Sequence, residues 1–155
     1  MTDRTPAPAS DQEVLVTRVF DAPRERVFRA WTDPDELAAW YGPAHMDAPR
    51  DRIHIDLRVG GRWELTMVPR GGGDEFTISY EILELVESEL LVLRSDPMPQ
   101  VGMHEGTIVR VEFHDHGDET HMTLTDGPMP AEGRDHAAAG YDAAFDKLAR
   151  HLSAH

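Results

Sequence analysis

The chain has no cysteine, which excludes disulfides, thiolate metal ligands and thiol nucleophiles. It has no apolar run long enough to cross a bilayer, and its opening stretch MTDRTPAPASDQE is polar and proline-rich, unlike a secretory signal. Basic residues are scarce. Fifteen Lys and Arg stand against 29 Asp and Glu, for a formal net charge of −14. So acidic a surface repels phosphate backbones and anionic lipid, and neither nucleic acid nor membrane is an expected partner. Signatures of catalysis are missing too: no Gly-x-Ser-x-Gly elbow, P-loop, His-Glu-x-x-His or dinucleotide fingerprint occurs. No catalytic residue is singled out and no cofactor is expected. These absences leave a soluble, cytoplasmic protein, with residues 1–12 as a disordered leader and residues 13–155 as one folded unit large enough to bury a core.

What is present is ordinary in amount and regular in pattern, with 40% apolar and 28% charged residues. EVLVTRVF (residues 13–20) alternates as a first strand. DAPRERVFRAW predicts a short helix capped at Asp21 or Ala22, with Pro23 in its first turn and Val27, Phe28 and Trp31 on one side. Asp33-Pro34-Asp35-Glu36 starts a second: a capping Asp, Pro at the first helical position, Glu three residues on. Gly42-Pro43 stops it. From there the period becomes two. RIHIDLRV places Ile53, Ile55 and Leu57 on one face and turns at Gly60-Gly61; RWELTMV places Trp63, Leu65 and Met67. EFTISYEILELV alternates through Phe76, Ile78, Tyr80 and Ile82 and slips register near Leu83, as at a bulge. ELLVLRS follows as a fifth strand, then a loop, then a hairpin of Thr107–His114 and His121–Thr125. Residues 131–151 form a long helix with Ala137, Tyr141, Phe145, Leu148 and Leu152 on one stripe. The fold class is α+β, an antiparallel sheet of six to seven strands curled around a C-terminal helix of about five turns.

FDAPRERVFRAWTDPDELAAWYGP, DLRVGGRWELTM, YEILELVESELLVLRS, VEFHDHGDETHMTLTD and HAAAGYDAAFDKLARHL, in this order, resemble the SRPBCC (START-like) superfamily. Within it they resemble the branch called activator of heat shock protein 90 ATPase homologue-like. The resemblance implies the helix-grip fold, a deep apolar cavity between long helix and sheet, and ligand binding without a fixed catalytic motif.

On that basis the expected partner is a small hydrophobic or aromatic ligand. The helix offers Gly140 among alanines, with Tyr141 and Phe145 as the large residues of its middle. Trp63, Met67, Tyr80 and Met122 stand opposite, and Trp40 and Met103 nearer the mouth. Tyr hydroxyls and the Trp63 indole are the polar handles. A packed core is the plainer account of the same residues, and Trp31 is assigned to it; Trp40 and Tyr41 either reach the cavity or pack under Pro43. His104 and Glu105 border the mouth or sit in solvent. His114 and His121 face each other if Gly117-Asp118 is the turn, with His116 and Glu119 beside it. That side carries Arg110, Glu112 and Thr123, reads as solvent-facing, and is not expected to hold a metal. The alternative to ligand binding is an enzyme of the polyketide cyclase/aromatase or small-hydrolase kind using the same cavity. Chaperone activation follows only from the branch name, since such activators carry a separate docking domain. A homodimer is left open.

Overall fold

A computed structural model describes residues 13–42, 46–97 and 106–153; the leader at 1–12, and Pro43, Met103, His104 and Glu105, lie outside them. Strand β1 (Val14–Phe20) leads into helices α1 (Arg24–Thr32) and α2 (Pro34–Trp40). Segments β2 (Met46–Asp47), β3 (Ile53–Ile55), β4 (Arg62–Pro69), β5 (Phe76–Val86), β6 (Leu90–Ser95), β7 (Ile108–His116) and β8 (Glu119–Gly127) follow, and helix α3 (Ala131–Ser153) comes last. The sheet runs β1-β8-β7-β6-β5-β4, and β2 and β3 share the remaining edge of β4. That makes seven rows, all antiparallel. It is the curled α+β sheet of a helix-grip fold, with two short helices after the first strand.

The α1–α2 break follows from capping chemistry. Asp33 accepts from the Asp35 N–H at 2.9 Å, and Pro34 opens α2. Glu36, expected to close a capping box, is drawn away by other donors: it accepts from Arg26 at 2.6 Å, Arg29 at 3.2 Å and His151 at 2.7 Å. At the start of α1 the cap is Pro23 rather than Asp21 or Ala22, and no side chain caps it.

The register slip in β5 is present, since Ile82 faces Leu93 whereas Glu84 faces Val92. The β7–β8 turn is the expected one, with His116 opposite Glu119. The strand read over RIHIDLRV is cut to three residues. Beyond Ile55 the chain folds into a turn in which the Asp56 N–H donates to Arg62 and the Gly60 N–H to Ile82. Gly61 is obligatory there: a Cβ would stand 2.1 Å from the Asp56 carbonyl oxygen. Leu57 and Val59 are consequently exposed rather than inward.

Alternation buries Trp63, Leu65 and Met67 of β4, Ile78, Tyr80 and Ile82 of β5, Leu91 and Leu93 of β6, and Met122 and Leu124 of β8. Helix α3, 23 residues and so nearer six turns than five, covers this face. Ala144, Phe145, Leu148 and Leu152 are buried along it, whereas nothing N-terminal to Ala144 on the helix is fully buried.

Candidate functional site

A helix continuing through Pro34 would satisfy the carbonyls of Ala30 and Trp31 with the N–H groups of residues 34 and 35. Pro34 has no N–H, and that of Asp35 goes to Asp33. Two indoles take the freed carbonyls: Trp40 Nε1 donates to Ala30 O and Trp63 Nε1 to Trp31 O, each at 2.9 Å. Helix α1, helix α2 and strand β4 are thereby tied together around an aromatic cluster. Ring centroids lie 5.0 Å apart for Trp31–Trp40, 5.3 Å for Tyr41–Trp63 and 5.5 Å for Trp63–Tyr80. Phe145 of α3 joins at 6.1 Å from both Trp31 and Trp40, and Tyr141 stacks on Phe145 at 5.8 Å. Most of these pairs meet edge to face, the arrangement that ring quadrupoles favour.

The Trp63 indole is therefore committed to backbone and is not a free handle. The indole of Trp31, read from the sequence as core, is the one whose Nε1 is buried without a partner.

One end of this interior is polar. Asp126 follows Met122 and Leu124 on the inward stripe of β8 and is 6% exposed. Its Oδ2 accepts from the Tyr141 hydroxyl at 2.8 Å, while Oδ1 is buried with no partner of good geometry. Burial pushes the Asp126 carboxyl above its usual range; hydrogen bonding from Tyr141 and Thr107 pulls it back only in part. Tyr41, Tyr80 and Tyr141, all the tyrosines of the chain, are pushed up by burial first; the Asp126 carboxyl comes next for Tyr41 and Tyr141, and after Tyr41 for Tyr80. Four ionisable groups from α3, β5, β8 and the end of α2 thus feel one another in one place. Ser95, across from Tyr80, extends the polar patch by accepting from the Thr107 N–H at 2.8 Å.

Of the residues singled out in the sequence, Trp40, Trp63, Met67, Tyr80, Met122, Tyr141 and Phe145 all belong to this interior. Gly140 lies one turn before Ala144, and a Cβ added to it would meet nothing within 4 Å. Met103 lies outside the described residues. Asp126 was missed, although an acid two positions after Leu124 on an apolar alternation is a readable signal; the expected strand stopped one residue short of it, at Thr125. Outside the interior, an open groove of about 550 Å³ runs along Arg24, Leu90, Arg110 and His114. It is lined by charges of both signs and is remote from the aromatic cluster. His116 and His121 stack there at 3.6 Å, and His114 Nε2 lies 3.2 Å from Glu112. Among the described residues no three His, Asp or Glu converge as a metal site requires. Nor is any helix among them long and apolar enough to cross a membrane.

Comparison with known proteins places this geometry in context. The family described as Activator of Hsp90 ATPase homolog 1-like protein matches residues 21–153. A crystal structure of a protein from Chromobacterium violaceum superposes with a TM-score of 0.80 at 22% identity, over 92% of this chain and 98% of that one. An AHSA1-like protein from Aeromonas hydrophila, solved by NMR, gives 0.77 at 22% identity over 92% of each chain. A Rhodobacter sphaeroides protein gives 0.77 at 19% over 96% of each. At these identities the likeness is one of fold. A search of curated proteins finds no match.

Proposed function

The chain belongs to the Activator of Hsp90 ATPase homolog 1-like family, and from that premise we propose that it binds a small, largely apolar molecule between α3 and the curved sheet. The observation that carries the reading is the change along α3. Its C-terminal half is sealed onto the core by Phe145, Leu148 and Leu152, whereas its N-terminal half offers Ala137, Ala138 and Gly140, with open space where the Gly140 side chain would be. A helix half rich in small residues, packed beside aromatic rings and the flexible thioethers of Met67 and Met122, suits an elongated or aromatic guest.

The test uses the apolar probe N-phenyl-1-naphthylamine. Binding in the micromolar range, about −8 kcal/mol, is expected to quench tryptophan fluorescence, because all three tryptophans sit in the one cluster. Gly140→Leu is expected to weaken binding about tenfold or more without lowering the melting temperature. Absence of saturable quenching in the unaltered chain refutes the reading. A second reading, an enzyme of the cyclase/aromatase kind, is favoured by one observation: a buried carboxyl with a raised pKa inside the same interior.

A further inference from the structure

We propose that Asp126, whose carboxyl holds the Tyr141 hydroxyl, is the recognition end of this interior and selects a ligand carrying a hydroxyl group, a phenol, on a planar apolar body. The proposal rests on the ligand-binding reading above and adds the chemical class. Its geometric ground is the buried Asp126 carboxyl, whose Oδ1 has no hydrogen-bond partner of good geometry although Thr107 lies beside it; a buried acceptor so poorly satisfied favours a guest that completes it. Asp126 cannot turn away: its Oδ2 is held by Tyr141, and its backbone is paired with Val14 on one side and Val109 on the other.

The chemistry of the surroundings narrows the guest. Among the described residues the groups acting on Asp126 are Tyr141 of α3, Thr107 before β7 and Glu13 before β1, none of them a cation, and it acts in turn on Tyr80 of β5 and Tyr41 after α2. A carboxylate or phosphate guest would meet an uncompensated acid and is rejected. An ammonium guest would lose its water inside apolar walls, a cost that pairing with a single carboxylate repays poorly. A hydroxyl suits either state, donating to the ionised carboxylate or accepting from the protonated one. The planar body follows from the walls, which are aromatic rings meeting edge to face around Trp31 and Trp63.

The experiment titrates the full chain with naphthalene, 2-naphthol and 2-naphthoate, read by tryptophan quenching. The expected order is 2-naphthol tighter than naphthalene by about tenfold, the ratio one hydrogen bond to a charged group supplies, with 2-naphthoate weakest. Asp126→Val, apolar and suited to a strand, is expected to remove the preference while keeping naphthalene binding. On the unaltered chain, the preference for 2-naphthol is expected to grow as pH rises from acid to neutral, because the ionised carboxylate is the stronger acceptor; this arm stands even if the variant fails to fold. Equal binding of naphthalene and 2-naphthol, tighter 2-naphthoate, or a preference indifferent to pH overturns the proposal. Failure of all three probes to bind sinks the ligand-binding reading beneath it as well.

Discussion

Replacing Glu36 with Gln tests how the two short helices are fastened to the long one. Glu36 accepts from Arg26 of α1 and His151 of α3, and all three side chains are mostly buried, at 16%, 14% and 13% exposure. The Arg29 contact adds little, because that side chain is 58% exposed. Breaking a fully buried pair costs roughly 3–5 kcal/mol and an exposed one roughly 0.2–1. A clamp at this depth falls between them, at about 2 kcal/mol. For a chain of this size that is a drop in melting temperature of about 4–8 °C. The pH dependence carries the sharper check. Burial alone would raise Glu36, but hydrogen bonds from His151 and Arg26, and their charges, outweigh it and hold the carboxyl below its ordinary 4.5. A carboxyl depressed in the folded state stabilises fully above its unfolded pKa and loses that contribution as pH falls through the folded one. Calorimetry of the two chains should therefore show the full gap at neutral pH and a gap that closes on acidification to about pH 3. A gap of equal size at both pH values, or none at neutral pH, refutes the electrostatic account of the clamp.

Phe145→Ala should cost about 3–5 kcal/mol by urea unfolding, since the ring is fully buried against Phe20, Trp31 and Trp40; a loss under 1 kcal/mol would mean the cluster rearranges freely. Gly61→Ala should cost more than Gly117→Ala, which meets open space at φ 75° and pays only for its backbone, and melting curves of the two variants decide the order. Electrophoretic mobility assays with duplex DNA at physiological salt should show no shift, given the net charge of −14.

Much of the fold was written locally. The α1–α2 break needs only Asp33 and Pro34, the bulge only a slip of alternation at Leu83, the β7–β8 turn only Gly117. What the sequence obscured depends on partners far along the chain. The strand over RIHIDLRV loses its second half because Gly60 bonds to Ile82, which no local pattern announces. Which indole remains unpaired depends on carbonyls that the helix break releases: Trp63 spends its N–H on Trp31 O, and Trp31 is left with none. Asp126, before Gly127-Pro128, reads as a turn acid until Tyr141 reaches it from α3.

The pairing of β1 with β8 shapes how the chain is made. The Thr120 hydroxyl donates to Ala22 O across 98 residues, and Arg18 meets Asp146 across 128. Closing a loop of that order costs about 4 kcal/mol of chain entropy before any contact rewards it, and folds dominated by such distant pairings assemble slowly. During synthesis the first strand must wait, its edge unpaired, until the later strands through β8 have left the ribosome. Strand β8 and helix α3 arrive last, and Asp126 and Tyr141 arrive with them. A half-made chain can therefore already hold Trp31, Trp40 and Trp63 while lacking the buried acid that Tyr141 pairs with.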